Sequence, residues 1–312
     1  MQVITLTHPY SPNEIVDTPI VLALGFFDGV HLGHQAVIQR AKEVAEAQRI
    51  PLAVMTFLQH PKLLYTNLTP ETVRYLTTVD RKKALLANLG VDILYLVDFD
   101  EAFGTQSPQQ FVDAYIVGLR AQTVVAGYDY TYGKVDLANM QTLPQHAAGR
   151  FEVIEVPKFV MQQHKVGSSR IKELLQKGDV ASANAALGYI YETSGVVVHG
   201  AKRGREMGYP TANIDTTFGE MLPGVGIYAV EFFVEGTWHI GMASIGYNPT
   251  FTSEQRLTCE VHVLDFNQMI YGQAVKVRWH HYLRGEVKFD GMESLIAQLI
   301  QDEQATRRYF DK

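Results

Sequence analysis

Short apolar runs alternate with amphipathic stretches through the first half of this chain, and a denser β-type pattern replaces them in the second. Ile20–Leu24 is an unbroken apolar run of strand length, while Val37, Ala41 and Val44 recur at helical spacing between His34 and Ala47. Leu52–Phe57, Ile93–Val97 and Thr123–Ala126 read as further buried strands. Asp80 is placed to cap a helix that runs through Leu89 and closes at Gly90. Ser107-Pro108 supplies an N-cap and a first-turn proline for a helix towards Gly118, and Gln110 completes a capping box. Strands separated by helices of this length predict a parallel, doubly wound sheet, whose ligands sit at the carboxyl ends of the strands.

Two short helices follow, from Ser168 and from Asp179, the first stopped by Gly178. After Gly188 the texture changes. Val196–His199, Ile227–Val234, Trp238–Ser244, Leu257–Leu264 and Ala274–Trp279 are β-rich segments between glycine turns, which predicts an antiparallel barrel or sandwich. A closing helix, with Asp290 and Glu293 as its caps, directs Leu295, Ile296, Leu299 and Ile300 inward. The change of pattern, in a chain of 312 residues, predicts two domains, 1–186 and 187–312.

Composition narrows the class of protein. Hydrophobic residues are 46% and charged residues 19%, which fits a globular chain and excludes a disordered one. The net charge of −6 argues against general nucleic-acid binding, which needs a dominant basic face. Cys259 is the single cysteine, so no internal disulfide forms. No apolar run approaches the roughly 20 residues that span a bilayer. Met1 to Tyr10 also lacks the charged-then-apolar layout of a signal peptide. The expectation is a cytoplasmic protein without nucleic-acid or membrane partners, its oligomeric state open.

The first concentration of chemistry is Gly25-Phe26-Phe27-Asp28-Gly29-Val30-His31-Leu32-Gly33-His34, which runs from a strand end into a helix start. Glycines at 25, 29 and 33 allow a backbone tight enough for phosphate to approach, and the helix mouth favours an anion. His31 and His34, three residues apart, share one side of that entry and can donate to phosphate oxygens as charge builds. The same spacing would serve half a metal site, but no third ligand is near in sequence.

This string resembles the nucleotidyltransferase signature of the prokaryotic bifunctional riboflavin kinase/FMN adenylyltransferase (FAD synthetase) family, and the resemblance covers nearly the whole chain. Thr56-Phe57-Leu58-Gln59-His60-Pro61 is similar to the family's Thr-Phe-x-Pro-His-Pro, and Gly127-Tyr128-Asp129-Tyr130-Thr131-Tyr132-Gly133 to its Gly-Phe-Asp-Phe-x-Phe-Gly loop. Val166-Gly167-Ser168-Ser169-Arg170-Ile171-Lys172 falls where the family has Ser-Ser-Thr-x-Ile-Arg. Gln59, Gly167 and Lys172 depart from the pattern; lysine keeps the charge of arginine but loses its two-pronged contact. The resemblance implies a Rossmann-like α/β nucleotidyltransferase domain followed by an antiparallel β-barrel riboflavin kinase domain with a C-terminal helix. It further implies His31 and His34 as catalytic, and Gly25, Phe27, Asp28, Gly33, Ser168, Ser169 and Lys172 at ATP. His60 and Asp129 are expected at the flavin.

The second concentration lies in Gly200-Ala201-Lys202-Arg203-Gly204-Arg205-Glu206-Met207-Gly208-Tyr209-Pro210-Thr211-Ala212-Asn213. Glycines and cations in one loop suit ATP phosphates, which points to Gly200, Lys202 and Gly204; a solvated basic loop is the blander reading. Pro210-Thr211-Ala212-Asn213 is similar to the riboflavin kinase signature, which implies Thr211 and Asn213 as ligands of Mg²⁺ with the ATP phosphates. Alternation sets Glu260, His262 and Leu264 on one strand face and Cys259, Val261 and Val263 on the other. By resemblance Glu260 receives the proton of riboflavin's terminal ribityl hydroxyl, and Arg284 shapes the flavin site. Asp265 is expected to shape a turn, and His199, His280 and His281 to be structural or surface residues.

Together these readings imply an ATP-dependent enzyme that phosphorylates riboflavin to FMN and adenylylates FMN to FAD, releasing pyrophosphate, with Mg²⁺ as cofactor. A kinase lacking adenylyl transfer, a non-catalytic flavin-binding regulator and another small-molecule adenylyltransferase stay open at this point.

Overall fold

The computed structural model describes residues 1–161, 163–200, 204, 208–247 and 257–311, the side chain of residue 62 excepted. The chain divides into two compact units. Met1–Val73 with Thr77–Gly167 form the first; Arg74–Leu76 with Ser168–Lys312 form the second.

In the first unit, β1 (Gln2–Leu6), β2 (Ile20–Leu24), β3 (Leu52–Phe57), β4 (Ile93–Val97), β5 (Ala121–Gly127) and β6 (Glu152–Val156) make one sheet in the order β1-β4-β3-β2-β5-β6. Every pairing in it is parallel. Parallel strands buried on both faces need near-continuous apolar runs, and β2 is buried at all five positions. The connections from β2 lead to β3 on one side, and β5 pairs on the other, so the loop leaving β2 lies at the switch point of the sheet. Helix α1 (Leu32–Gln48) starts there and covers one face through Val37, Ile38, Ala41, Val44 and Ala45. The short helix α2 (Lys62–Tyr65) follows β3.

Helix α3 (Val79–Asn88) is capped by Thr78, whose hydroxyl accepts from Arg81 N, and not by Asp80. Thr78 has the extended backbone a cap requires (ψ 163), while Asp80 already lies inside the first turn and pairs with Lys83. After α4 (Glu101–Gly104), the capping box of Ser107 and Gln110 opens α5 (Pro108–Val112) as expected. The helix then widens to a π-helical turn at Asp113–Val117 before Gly118. The Tyr10 hydroxyl donates to the Ala114 carbonyl within that turn. Helix α6 (Leu143–Ala147) precedes β6, and a two-stranded hairpin, β7 (Val160–Met161) and β8 (His164–Lys165), completes the unit.

The second unit begins with α7 (Ser168–Gln176) and α8 (Val180–Leu187), the latter capped by Asp179 as its sequence suggests. Then β9 (Glu192–Val198), β10 (Ala212–Thr216), β11 (Gly226–Val234), β12 (Thr237–Tyr247), β13 (Leu257–Val263) and β14 (Ala274–Arg284) close into an antiparallel barrel ordered β10-β13-β12-β11-β14-β9. Tyr75 belongs here because its N–H donates to Gly219 O at 2.7 Å. Along β13, Cys259, Val261 and Val263 are buried, and the alternate Glu260 and His262 are partly accessible.

Helix α9 (Met292–Phe310) starts from Gly291 without a side-chain cap, so neither Asp290 nor Glu293 fills that role. Its inner face also differs from expectation. Ile300 is exposed, whereas Asp302 and Thr306 are buried, because positions 295, 299, 302 and 306 form the helical row turned inward.

Candidate active sites

The first site grows out of the turn after β2. Phe27 (φ 53) and Val30 (φ 38) take left-handed backbone that side chains with a Cβ avoid, and for branched Val30 this is costly. Surrounding bonds hold the turn in that shape. The Gly29 N–H donates to Thr77 Oγ1 at 3.1 Å, Thr77 N donates to Asp28 Oδ1 at 3.3 Å, and Gln35 Nε2 donates to Val30 O at 2.9 Å. Phe27 and Asp28 are buried, 1% and 4% exposed, so their side chains brace the turn from inside.

His31 is the N-cap of α1, its Nδ1 accepting the His34 N–H at 3.3 Å. In a neutral imidazole that leaves the proton on Nε2. The His34 ring stacks on His31 at 3.5 Å, Phe27 meets His34 edge-on, and His34 Nδ1 is buried with no hydrogen-bond partner. A Cβ at Gly33 would crowd the His31 ring at 3.2 Å, so glycine lets the imidazole lie across the first turn. The first turn holds no acidic residue, so the positive end of the helix dipole is uncompensated. Burial pushes the His31 pKa down to about 4, against the attraction of Asp28 and Asp129. Burial likewise holds His34 well below its usual value, with the charges of His31, Lys82 and Lys165 adding to the effect. Both rings are therefore neutral at pH 7.

Around this mouth stand residues read from the other first-unit motifs. Asp129 pairs with Lys165 at 2.6 Å, and the Lys165 ammonium lies 5.0 Å from the Tyr128 ring centre. The His60 ring sits 4.6 Å from that of Phe26. Lys165 and Lys82 are cations that sequence reasoning missed; Lys165 stands two residues before the Gly-Ser-Ser segment, where a basic residue was a visible signal. Ser168 and Ser169 open α7, and the Lys172 ammonium donates to Arg74 O at 2.7 Å, both within the second unit.

The second site is a cavity of about 630 Å³ in the barrel unit, a volume in the range of small-molecule pockets. Thr211, Glu260, His262, Arg284, Phe289 and Asp302 are among its lining residues. The Thr211 hydroxyl donates to Glu260 Oε2 at 3.1 Å, and Asn213 is the cross-strand partner of Glu260 between β10 and β13. A side chain at Gly200 would overlap the Asn213 carboxamide, so glycine admits that amide against the backbone. Gly204 lines the cavity and accepts from Tyr209 N at 2.9 Å. Lys202 lies outside the described residues.

Two features here escaped the sequence reading. His262 Nδ1 donates to Pro210 O at 2.7 Å, with the Tyr209 ring 5.0 Å away, so this strand histidine pins the Pro-Thr turn. Arg284 is held by Asp302 through Nε at 2.9 and 3.1 Å and Nη2 at 2.7 Å, which ties α9 to the cavity wall. The alternation of Glu260 and His262 was the signal for the first; a buried aspartate on a helix has no such signature.

The remaining polar residues have other partners. His280 pairs with Glu231 at 2.8 Å, while His281 stacks on Tyr309 and His199 packs on Tyr271. Asp265 sits in a turn with φ 55 and binds the Arg307 guanidinium at 2.8 Å. Among the described residues no group of three or more His, Cys, Asp or Glu side chains converges as a metal site.

A helix mouth with paired imidazoles at a parallel-sheet switch point, and a carboxylate beside hard oxygen donors in a barrel cavity, are arrangements suited to phosphate esters. Both belong to the class of ATP-dependent transferases. A family model described as FAD synthetase matches residues 14–170, and one described as riboflavin kinase matches residues 187–310. A Listeria monocytogenes protein named bifunctional riboflavin kinase/FMN adenylyltransferase is 48% identical over 312 residues, with 100% of this chain and 99% of that one covered. A Bacillus subtilis protein of the same name is 42% identical, with 99% and 98% covered. A crystal structure titled macrolide-efflux protein, from Streptococcus pneumoniae, superposes with a TM-score of 0.89 at 35% identity, covering 97% of this chain and 99% of that one. Among the described residues of this chain no helix is long and apolar enough to cross a membrane. This chain belongs to the bifunctional riboflavin kinase/FMN adenylyltransferase family.

Proposed function

We propose that this chain phosphorylates riboflavin to FMN in its barrel unit and adenylylates FMN to FAD at the sheet switch point, using one ATP for each step. The division follows the chain, with residues 1–186 serving adenylylation and 187–312 phosphorylation. The observation that carries the kinase assignment is the 3.1 Å contact of Thr211 with Glu260 inside the cavity. A carboxylate is too weak a base to strip an alcohol beforehand. Glu260 orients the terminal ribityl hydroxyl and accepts its proton as the oxygen–phosphorus bond forms and ADP departs. Thr211 and Asn213 present neutral oxygens next to that carboxylate, a donor set suited to a hard cation. They would hold Mg²⁺, which when bound neutralises charge on the polyphosphate. Arg284 and Phe289 border the space left for the flavin.

In the other unit, an FMN phosphate oxygen attacks the α-phosphorus of the second ATP and pyrophosphate leaves. His31 donates from Nε2 to the oxygen that gathers charge, and His34 keeps the stacked ring in place. His60 and Asp129 are proposed at the flavin end. A cytoplasmic setting fits a chain whose one thiol, Cys259, is buried, its pKa pushed up to about 12 by that burial.

The test separates the sites. Glu260→Ala should abolish FMN formation yet spare FAD formation from supplied FMN, and His31→Ala should do the reverse. Loss of both reactions from one substitution in a folded chain would rule out two independent sites. Riboflavin bound but never converted under ATP and Mg²⁺ would instead establish a regulator.

A further inference from the structure

Lys82 is buried on α3, 4% exposed, and neither reaction step described above uses it. Its Nζ donates to Phe26 O at 2.8 Å, stands 3.4 Å from Thr56 Oγ1 and lies 4.3 Å from the Phe26 ring centre. Among the described residues no carboxylate is within ion-pair distance of this ammonium; Asp28 is the negative charge it feels. An interior cation with so little compensation is costly, and an apolar side chain of the same length would avoid that cost. Thr56 Oγ1 also donates to Phe26 O, at 2.7 Å, so that carbonyl would keep a partner without the lysine.

We infer that Lys82 is a positioning residue for adenylyl transfer: its buried ammonium draws the Phe26 carbonyl inward behind the phosphate turn and sets a fixed positive charge under it. The peptide group is planar and trans, so a carbonyl turned towards Lys82 aims the Phe27 N–H to the opposite side. That geometry sits directly before the left-handed residues Phe27 and Val30, where the turn needs bracing most. The same charge helps keep His34 neutral. A polyphosphate arriving at the turn adds counter-charge to that of Asp28, which lies outside ion-pair distance of the ammonium. This rests on the reading that the Gly25–His34 turn receives the phosphates of ATP.

The deciding variant is Lys82→Met, which keeps the stem and removes the charge. With FMN and ATP·Mg²⁺ supplied, the KM for ATP in FAD formation should rise about 10- to 100-fold, the size of one charge-assisted contact. The kcat for FAD formation should change far less, and riboflavin phosphorylation should stay within about two-fold of wild type. The melting temperature should hold or rise, because an uncompensated buried charge has gone. A lower melting temperature would show that the ammonium serves the fold, and an unchanged KM for ATP would show that it serves neither; either result overturns the inference. His31→Ala, run alongside, distinguishes the failures. If that variant still makes FAD, the assignment of the phosphate turn is at fault. If it makes none while Lys82→Met behaves as wild type, only the role of Lys82 falls.

Discussion

Replacing Asp302 with alanine removes the acceptor for Arg284 Nε at 2.9 and 3.1 Å, for Arg284 Nη2 at 2.7 Å and for Gln298 Nε2 at 2.9 Å. The Asp302 side chain is 5% exposed and that of Arg284 19%, so the guanidinium is left in the barrel unit with little water and no counter-ion. Breaking a fully buried pair costs about 3–5 kcal/mol, mostly through the charge left behind. Arg284 borders the cavity, so partial hydration brings the expected loss to about 2–3 kcal/mol. For a unit of this size that lowers the midpoint of thermal unfolding by roughly 5–10 °C. Helix α9 also carries Leu295 and Leu299 into the cavity wall, so loosening it should raise the KM for riboflavin as well. Asp302→Asn, which keeps an acceptor but loses the charge, should fall between alanine and wild type. Thermal unfolding followed by circular dichroism, with riboflavin saturation curves at a temperature where every variant is folded, measures both effects. If Asp302→Ala melts within about 1 °C of wild type and binds riboflavin normally, the clamp contributes nothing and the reasoning is refuted.

Gly200→Ala should push the Asn213 carboxamide aside, cutting riboflavin phosphorylation by at least about ten-fold while FAD formation from FMN persists; unchanged kinase activity would remove Asn213 from the site. The depressed pKa of His31 has a stability consequence, because the unfolded chain takes up its proton near 6.5 and the folded one only near 4. His31 therefore contributes stability that is fully present above pH 6.5 and is lost as the pH falls towards about 4, some ~3 kcal/mol over the window. Acid unfolding of His31→Gln should be shallower over that range than wild type, and identical curves would contradict the burial argument. Because the donor ring is neutral, kcat/KM for ATP in adenylylation should not drop between pH 6 and 7.5 as an imidazolium-dependent rate would. It should decline above pH about 8, where Lys82, whose pKa burial lowers, loses its proton between the charged or titratable neighbours Asp28 and His34.

Much of the frame was readable from pattern. Ile20–Leu24, Leu52–Phe57 and Ile93–Val97 have the observed strand limits, because a strand buried on both faces is a continuous apolar run. The strand Ala212–Thr216 is not legible in the sequence, since Pro210 and the small, polar Thr-Ala-Asn give no alternation to see. Glu152–Val156, an edge strand that mixes acids with apolar residues, shows no clear strand pattern for a similar reason. In the sites, legibility followed sequence distance. Gly25 through His34 concentrates its donors in one stretch, so their chemistry shows at a glance. Lys82 meets Phe26 across 56 residues and Asp302 meets Arg284 across 18, and only the packing of a helix against sheet or barrel makes those pairs.

A closed barrel has no free edge along which a strand can slide. Glu260 faces Asn213 on one side and Ser244 on the other, so both neighbouring ladders fix which side chain of β13 looks into the cavity. Slippage by one residue would present the thiol of Cys259 or the isopropyl group of Val261 in place of the carboxylate. Kinase chemistry here is thus an all-or-none property of register: a single inserted residue in β13 should silence it outright, while length changes in the turn at Glu235-Gly236, outside the ladders that flank Glu260, should be absorbed.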